Sequence, residues 1–333
     1  MQQQLPNRRS VTNMRQGFRF VTVGLRYGLN LFNMVARHQG YREAVVIGSK
    51  FALTEFAKLP LLIRLALQRR NGSRPRTQSP VAYSSKLLTG LSALHIDMES
   101  ISISADAFHS HVAHCKYPTN YAAGATDQGG FRDNKLLEYF VSLELLDVQQ
   151  GEVVIDVASR WSIFPDVLRK LTGAIVYQQD LIYPPGIHGY RIGGNAANMP
   201  LPGGFADKLV LHNSFEHFEG NADTEFILEA WRVLKPGGVL CILPLFLAEE
   251  YYILTDPLVN RRGIVWDEGA RVIERPWYHN RFSRHYDPES LKDRVLTKAE
   301  KAGFKATIYH ITNIKEVVSQ SGLHFVLMLR KPQ

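Results

Sequence analysis

Glu216 and His217 stand side by side shortly after the apolar run Leu209-Val210-Leu211. An imidazole in such a place has the intrinsic pKa for moving a proton near neutrality. Asp180 follows Val176-Tyr177-Gln178-Gln179, and its carboxylate offers two acceptor oxygens to a pair of adjacent donors; an aspartate capping its own turn is the plainer alternative. Asp156 comes near the end of a third apolar stretch, with the small residues Ala158 and Ser159 behind it, which permit a ligand to approach the backbone closely. His109, His111, His114 and Cys115 resemble metal ligands on paper, but their spacing matches no standard zinc site and a second ligand group is missing, so no metal is assigned. Two readings of that segment stand: a loop with His114 or Tyr117 reaching a substrate, or plain surface histidines. Trp266, Trp277, Tyr278, His279, Arg281 and His285 gather between residues 245 and 286, as an acceptor pocket or as the small core of a long insert.

Positioning these groups takes strands and helices in a definite order. Residues 205–246 read as a buried strand, a polar turn, an amphipathic helix, a tight corner and a second buried strand. Phe226, Ile227, Ala230, Trp231 and Leu234 recur at helical spacing, and Asn221 or Asp223 can cap the helix start. Pro236-Gly237-Gly238 stops it, since proline cannot continue a helix and glycine accepts positive φ. Strand, helix and strand at this spacing make a right-handed crossover. Upstream, strands are expected at 153–158 and 174–179 with a helix around 164–171 between them, then an edge segment near 190–193. Downstream come a helix from 288 to 302 and strands at 305–311 and 324–329. An apolar-rich helix over 134–146 precedes the first strand, and residues 84–106 are ambiguous.

The wording of these parts, Asn213-Ser214-Phe215-Glu216-His217 followed by Arg232-Val233-Leu234-Lys235-Pro236-Gly237-Gly238, resembles the class I S-adenosylmethionine-dependent methyltransferases. The resemblance covers roughly the last 200 residues. It implies an α/β fold with a seven-stranded Rossmann-like sheet and S-adenosyl-L-methionine as cofactor. It also implies cofactor contacts at Asp156, Ala158, Ser159, Asp180 (on the ribose hydroxyls), Asn195, Ala196 and Met199 (beside adenine) and Asn213. The family usually has alternating glycines after the first acid; here Ala158 and Ser159 stand there, with Arg160 and Trp161 beyond. Glu216 and His217 then fall where the acceptor meets the methyl group, with His217 as base, or else as an architectural pair common to the family. The implied reaction is methyl transfer to a small or medium acceptor with an oxygen or nitrogen nucleophile; glycan, lipid-linked and secondary-metabolite acceptors fit. The glycine-poor loop keeps a catalytically inactive binding or scaffold protein as the alternative. A nicotinamide-dependent oxidoreductase shares the first half of such a fold, but G-x-G-x-x-G is missing.

Length and composition allow one large domain plus an appendage, or two domains. The chain has 333 residues, 45% of them hydrophobic, and two cysteines far apart, which excludes a disulfide framework and suits a reducing, cytoplasmic setting. No apolar run reaches the length of a membrane span, and no signal-peptide core is expected. The charge is lopsided: residues 1–80 hold 14 Lys and Arg against two acids, while the remainder is slightly acidic. A nucleic-acid partner is therefore disfavoured for the catalytic part. Residues 1–70 read as a basic, mainly helical region, 71–132 as linker and lid, and 133–333 as the catalytic domain. Within the first of these, residues 17–70 suit a helical cap, a docking arm or peripheral contact with an anionic membrane.

Overall fold

In a computed structural model, the residues described are 84–117, 130–160, 162–276, 278–319 and 321–333, without the side chains of 130 and 131. The basic region, Trp161 and Trp277 therefore lie outside the described residues.

Eight strands form the main sheet, in the order β1-β10-β11-β6-β5-β2-β3-β4. They are β1 (Asp97–Ile101), β2 (Val153–Val157), β3 (Ile175–His188), β4 (Arg191–Gly193), β5 (Ala206–His212), β6 (Leu234–Leu243), β10 (Lys305–Ile311) and β11 (Phe325–Arg330). The central strands β3, β2, β5 and β6 are parallel. β11 runs antiparallel to both β6 and β10. Seven strands were expected; the eighth, β1, comes from the segment left open by sequence and pairs in parallel with β10.

Alternation along each strand divides the core in two. Ile155, Val157, Leu209, Leu211, Leu240 and Ile242 pack on one face with Phe226, Ile227, Ala230 and Val233 of the helix Ala222–Val233. Val154, Val210, Val239 and Cys241 face the other way, against Leu136, Leu137 and Phe140 of the helix Gly130–Leu146 and Phe164 and Leu168 of the helix Phe164–Thr172. Both faces of the parallel strands are covered, which is why they read as unbroken apolar runs.

The Lys-Pro-Gly-Gly corner acts differently from the expectation. The helix ends at Val233 and Leu234 is already extended. Its last carbonyls are taken by Lys331, whose ammonium donates to Trp231 and Leu234 at 2.8 Å each. Lys235 reaches across to Asp207 at 2.7 Å. Gly238 is required by space, because a Cβ there would come within 2.8 Å of the Lys235 carbonyl and 3.0 Å of that of Asp207. Asn221 occupies the N-cap position without a side-chain bond, and Asp223 is turned inward into an ion-pair cluster.

The insert carries a second sheet, β8-β7-β9, from β7 (Tyr252–Thr255), β8 (Arg271–Glu274) and β9 (Ser283–His285). Downstream, the expected single helix contains a π-helical turn, Lys292–Leu296, between α-helical pieces Pro288–Leu291 and Thr297–Ala302.

Candidate active site

The carboxyl ends of β2, β3 and β5 bring the expected residues together along one rim. Asp156 is 1% exposed at the end of β2, and by parity its side chain turns toward the helix-covered face rather than straight out. Its Oδ1 meets His212 Nδ1 at 3.2 Å, and His212 Nε2 meets Ser142 Oγ at 2.9 Å. Tyr139 and Phe164 clasp the imidazole edge-on, with centroids at 4.9 and 4.5 Å. Serine, histidine and aspartate in this order have the connectivity of a hydrolase triad, yet Ser142 is fully buried and its hydroxyl also donates to the Tyr139 carbonyl. No substrate reaches it; the chain of bonds fixes the strand ends. Sequence alone gave no sign of this network, because Ser142 and His212 lie 70 residues apart inside apolar segments.

Ala158 and Arg160 both adopt left-handed backbone, at φ 51° and 38°. The loop thus holds a glycine-like shape without glycine, with Ala158 and Arg160, not Ser159, in the left-handed conformation. Gln179 supports it: its Oε1 accepts from Ala158 N–H at 3.2 Å and its amide donates to the Gly194 carbonyl at 2.6 Å. Asp180 is bound to the same loop. One carboxylate oxygen accepts from Arg160 N–H at 2.9 Å and the other from Ile182 N–H at 3.0 Å. Each oxygen keeps a lone pair for a further donor. Tyr183 closes the loop by donating its hydroxyl to the Arg160 carbonyl at 2.6 Å.

Asn195 is exposed and caps its own turn, its Oδ1 accepting from Ala197 N–H at 3.0 Å. Ala196 and Met199 are buried in the core beneath. Glu229 takes Met199 N–H at 2.6 Å, while Arg232 holds the carbonyls of Met199 and Leu201. Asn213 is left-handed at φ 49° and donates its amide to Glu138. Asp156 Oδ2 and Ser159 Oγ are buried without a partner; buried polar atoms near a loop of this shape suit a ligand with polar groups.

Phe215–His217 form one 3-10 turn beyond β5. Ser214 ties this turn to β2 by a 3.4 Å bond to the Val157 carbonyl. His217 Nδ1 lies 2.6 Å from the Phe282 carbonyl. A carbonyl only accepts, so the proton is on Nδ1 and Nε2 is the basic atom. Glu216 Oε1 stands 3.5 Å from that Nε2. Burial raises the Glu216 carboxyl above the usual range, with His217 pulling it back in part.

The insert is locked to this turn through Arg284, a fully buried cation. It donates to Asp267 at 2.6 and 2.9 Å, to the Phe218 and Gly220 carbonyls at 2.7 and 2.8 Å, and pairs with Asp223 at 3.0 Å. Arg294 adds two bonds to Asp223, and the Tyr286 hydroxyl a third at 2.7 Å. Burial alone would raise the Asp267 carboxyl, but the Arg284 guanidinium bonded to it holds it below its ordinary range. Tyr117 packs beside the buried network, its ring 6.4 Å from that of Tyr139, and its hydroxyl meets Nε2 of His111, on the helix Ala105–Cys115, at 2.9 Å. Among the described residues no helix is long and apolar enough to cross a membrane.

Residues 183–242 match the family model for the methyltransferase domain. No curated protein matches the chain by sequence. Solved structures are similar at low identity. The Burkholderia thailandensis 1,6-didemethyltoxoflavin-N1-methyltransferase, with 1,6-didemethyltoxoflavin and S-adenosylhomocysteine bound, is 16% identical over 70% of this chain and 93% of its own, with a TM-score of 0.39. A SAM-dependent methyltransferase from Methanosarcina mazei is 15% identical over 56% and 94%, TM-score 0.37. A cyclopropane synthase from Mycobacterium tuberculosis is 14% identical over 59% and 74%, TM-score 0.34.

Proposed function

We propose, from the match of residues 183–242 to a methyltransferase-domain model, that this chain transfers a methyl group from S-adenosyl-L-methionine to the oxygen or nitrogen of a small or medium acceptor. The observation that carries the reading is the His217 tautomer: the Phe282 carbonyl at 2.6 Å keeps Nδ1 protonated and leaves Nε2, 3.5 Å from Glu216 Oε1, as the basic atom. The bound cofactor supplies a methyl group on a sulfonium, an electrophile that needs no acid. What the chain must add is placement and removal of the acceptor's proton, and Nε2 of His217 takes that proton, with Glu216 beside it.

The rim residues suit this cofactor. Asp180 has a lone pair free on each oxygen for adjacent hydroxyls. The left-handed Ala158–Arg160 loop shapes the backbone there, with Ser159 Oγ within it and Asp156 Oδ2 buried behind it, both without a partner. Asn195 and Asn213 complete the rim, with Ala196 and Met199 buried beneath it as an apolar floor. The unpartnered atoms speak for a working site over an inactive scaffold, since a scaffold has no reason to keep them. Titration with S-adenosylmethionine and S-adenosylhomocysteine decides between the two, and no binding of either by folded protein overturns the enzyme reading.

Glycan, lipid-linked and secondary-metabolite acceptors all fit this chemistry, whereas the slightly acidic catalytic part disfavours nucleic acid. We assign the catalytic domain to 133–333 with its insert at 245–286, together with β1 (Asp97–Ile101), which pairs with β10 in the same sheet, and the basic region to 1–70. Within it, residues 17–70 would hold a cytoplasmic enzyme against anionic membrane.

A further inference from the structure

Two polar atoms at the seam between the Glu216–His217 turn and the insert have no partner: Glu216 Oε2 and His285 Nδ1. Both residues are more than nine-tenths buried, at 5% and 7% exposure. His285 ends β9, the strand that begins directly after Phe282, whose carbonyl takes the His217 proton. Alternation along β9 sends Arg284 into the ion-pair cluster and leaves Ser283 and His285 on the opposite face. There Ser283 accepts from the Tyr278 hydroxyl at 3.1 Å and lies 3.5 Å from His285 Nε2. Tyr252 stacks on the His285 ring at 4.3 Å with 9° between the planes, and Phe246 stands at 5.1 Å.

Leaving a buried polar atom unpaired is costly, and native folds rarely do so without a reason. One strand position away, Arg284 shares its cluster with acids that are paired many times over, so the same strand satisfies its polar groups on one face and leaves His285 Nδ1 unpaired on the other. A hydroxyl both donates and accepts, so it satisfies an imidazole nitrogen in either tautomer and a carboxyl in either protonation state. Tyr252 is buried against the His285 ring, and the partly exposed Phe246 ring beside them offers apolar surface of the kind that receives the face of a ring.

We propose that the seam of Glu216 and His285 is the acceptor-anchoring site, and that it takes a hydroxyl group carried on a ring, a sugar or an aromatic alcohol. As a statement about the methylated acceptor it rests on the methyl-transfer reading; as a statement about binding it stands alone. The full chain is titrated with phenol and with methyl β-D-glucopyranoside, without and then with saturating S-adenosylhomocysteine, by calorimetry and by the nitrogen resonances of the histidine rings. At least one probe binds saturably and shifts the His285 ring nitrogens, and which one it is distinguishes the two sources of the hydroxyl. His285→Phe weakens that probe at least tenfold while S-adenosylhomocysteine affinity changes less than twofold. His285→Asn, which restores a donor and an acceptor, recovers part of the loss.

Absence of saturable binding by either probe overturns the proposal. So do binding unchanged in His285→Phe, toluene binding as well as phenol, or a bound water that neither probe displaces. If the hydroxyl probe binds but S-adenosylhomocysteine does not, the methyl-transfer reading fails and this site stands.

Discussion

Arg284 and Asp223 are both fully buried and meet at 3.0 Å, joining the last strand of the insert to the helix that follows Glu216-His217. With Asp267 and Arg294 they form a cluster of two cations and two anions, closed by the hydroxyls of Tyr286 and Tyr251. The insert is therefore part of the catalytic domain's architecture rather than a loose flap, because its anchor lies in the core.

Removing one charge from this cluster leaves the others buried and unpaired, a loss of about 3 to 5 kcal/mol in comparable cases. Asp223→Asn should lower stability by that order in urea unfolding. Arg261→Ala, which removes an exposed pair with Glu274, should cost under about 1 kcal/mol. Equal losses in the two variants would count against the clamp.

The cofactor loop allows a test of its backbone. Ala158 at φ 51° bears the strain of a left-handed residue, about 1 to 2 kcal/mol. Glycine relieves that strain but adds about 0.5 to 1 kcal/mol of chain entropy to be lost. Ala158→Gly should thus be neutral or slightly stabilising, while Ala158→Val, with its branched Cβ in the same conformation, should destabilise. The comparison is made by denaturant midpoints, and a destabilised glycine variant would refute the assigned loop shape.

Asp180 has two duties. Its carboxylate already holds the Arg160 and Ile182 amides, and the proposed ribose contact uses the remaining lone pairs. Asp180→Ala should weaken S-adenosylhomocysteine binding by at least tenfold in calorimetry. Asp180→Asn, which keeps one acceptor oxygen, should fall between. Affinity unchanged in the alanine variant would remove Asp180 from the cofactor site.

The central strands were legible because burial on both faces leaves short apolar runs such as Leu209-Val210-Leu211, and the helix after them because Phe226, Ile227 and Ala230 keep helical spacing. What escaped depends on contacts between distant residues. β1 is short and half exposed, with Asp97 and Glu99 in it, so no apolar run marks it; only its pairing with β10 makes it a strand. Asp223 looked like a capping residue because local sequence does not show Arg284 and Arg294, 61 and 71 positions on. The same holds at the site: Glu216-His217 was visible as a pair, whereas the Phe282 carbonyl that sets its tautomer has no side-chain signature at all.

Acid should destabilise the fold through His285. Burial, aided by the nearby His217, pushes this imidazole down to about 3 from its ordinary 6.5. The folded chain keeps it neutral, while the unfolded chain protonates it below 6.5, so the unfolded state binds more protons between those values. Stability is then fully present above pH 6.5 and falls as pH drops toward 3, by at most about 1.4 kcal/mol per pH unit. Asp267, held below its ordinary range, adds a further loss only in stronger acid, where its carboxyl takes up a proton. Urea midpoints at pH 7.5, 6 and 5 should shift downward in the native chain and less in His285→Phe; parallel shifts in both would place the acid sensitivity elsewhere.

His217 is the last and most direct test. With Nδ1 committed to Phe282 at 2.6 Å, only Nε2 can take a proton, and general bases of this kind contribute about 10²- to 10⁴-fold to rate. His217→Ala should lower kcat by that order once an acceptor is in hand, while S-adenosylhomocysteine affinity stays within a few-fold of the native chain. His217→Gln retains a hydrogen-bond donor for Phe282 but no basic nitrogen, so it should be as slow as alanine while keeping native stability. A glutamine variant with native kcat would assign His217 to architecture and leave the acceptor's proton to another group.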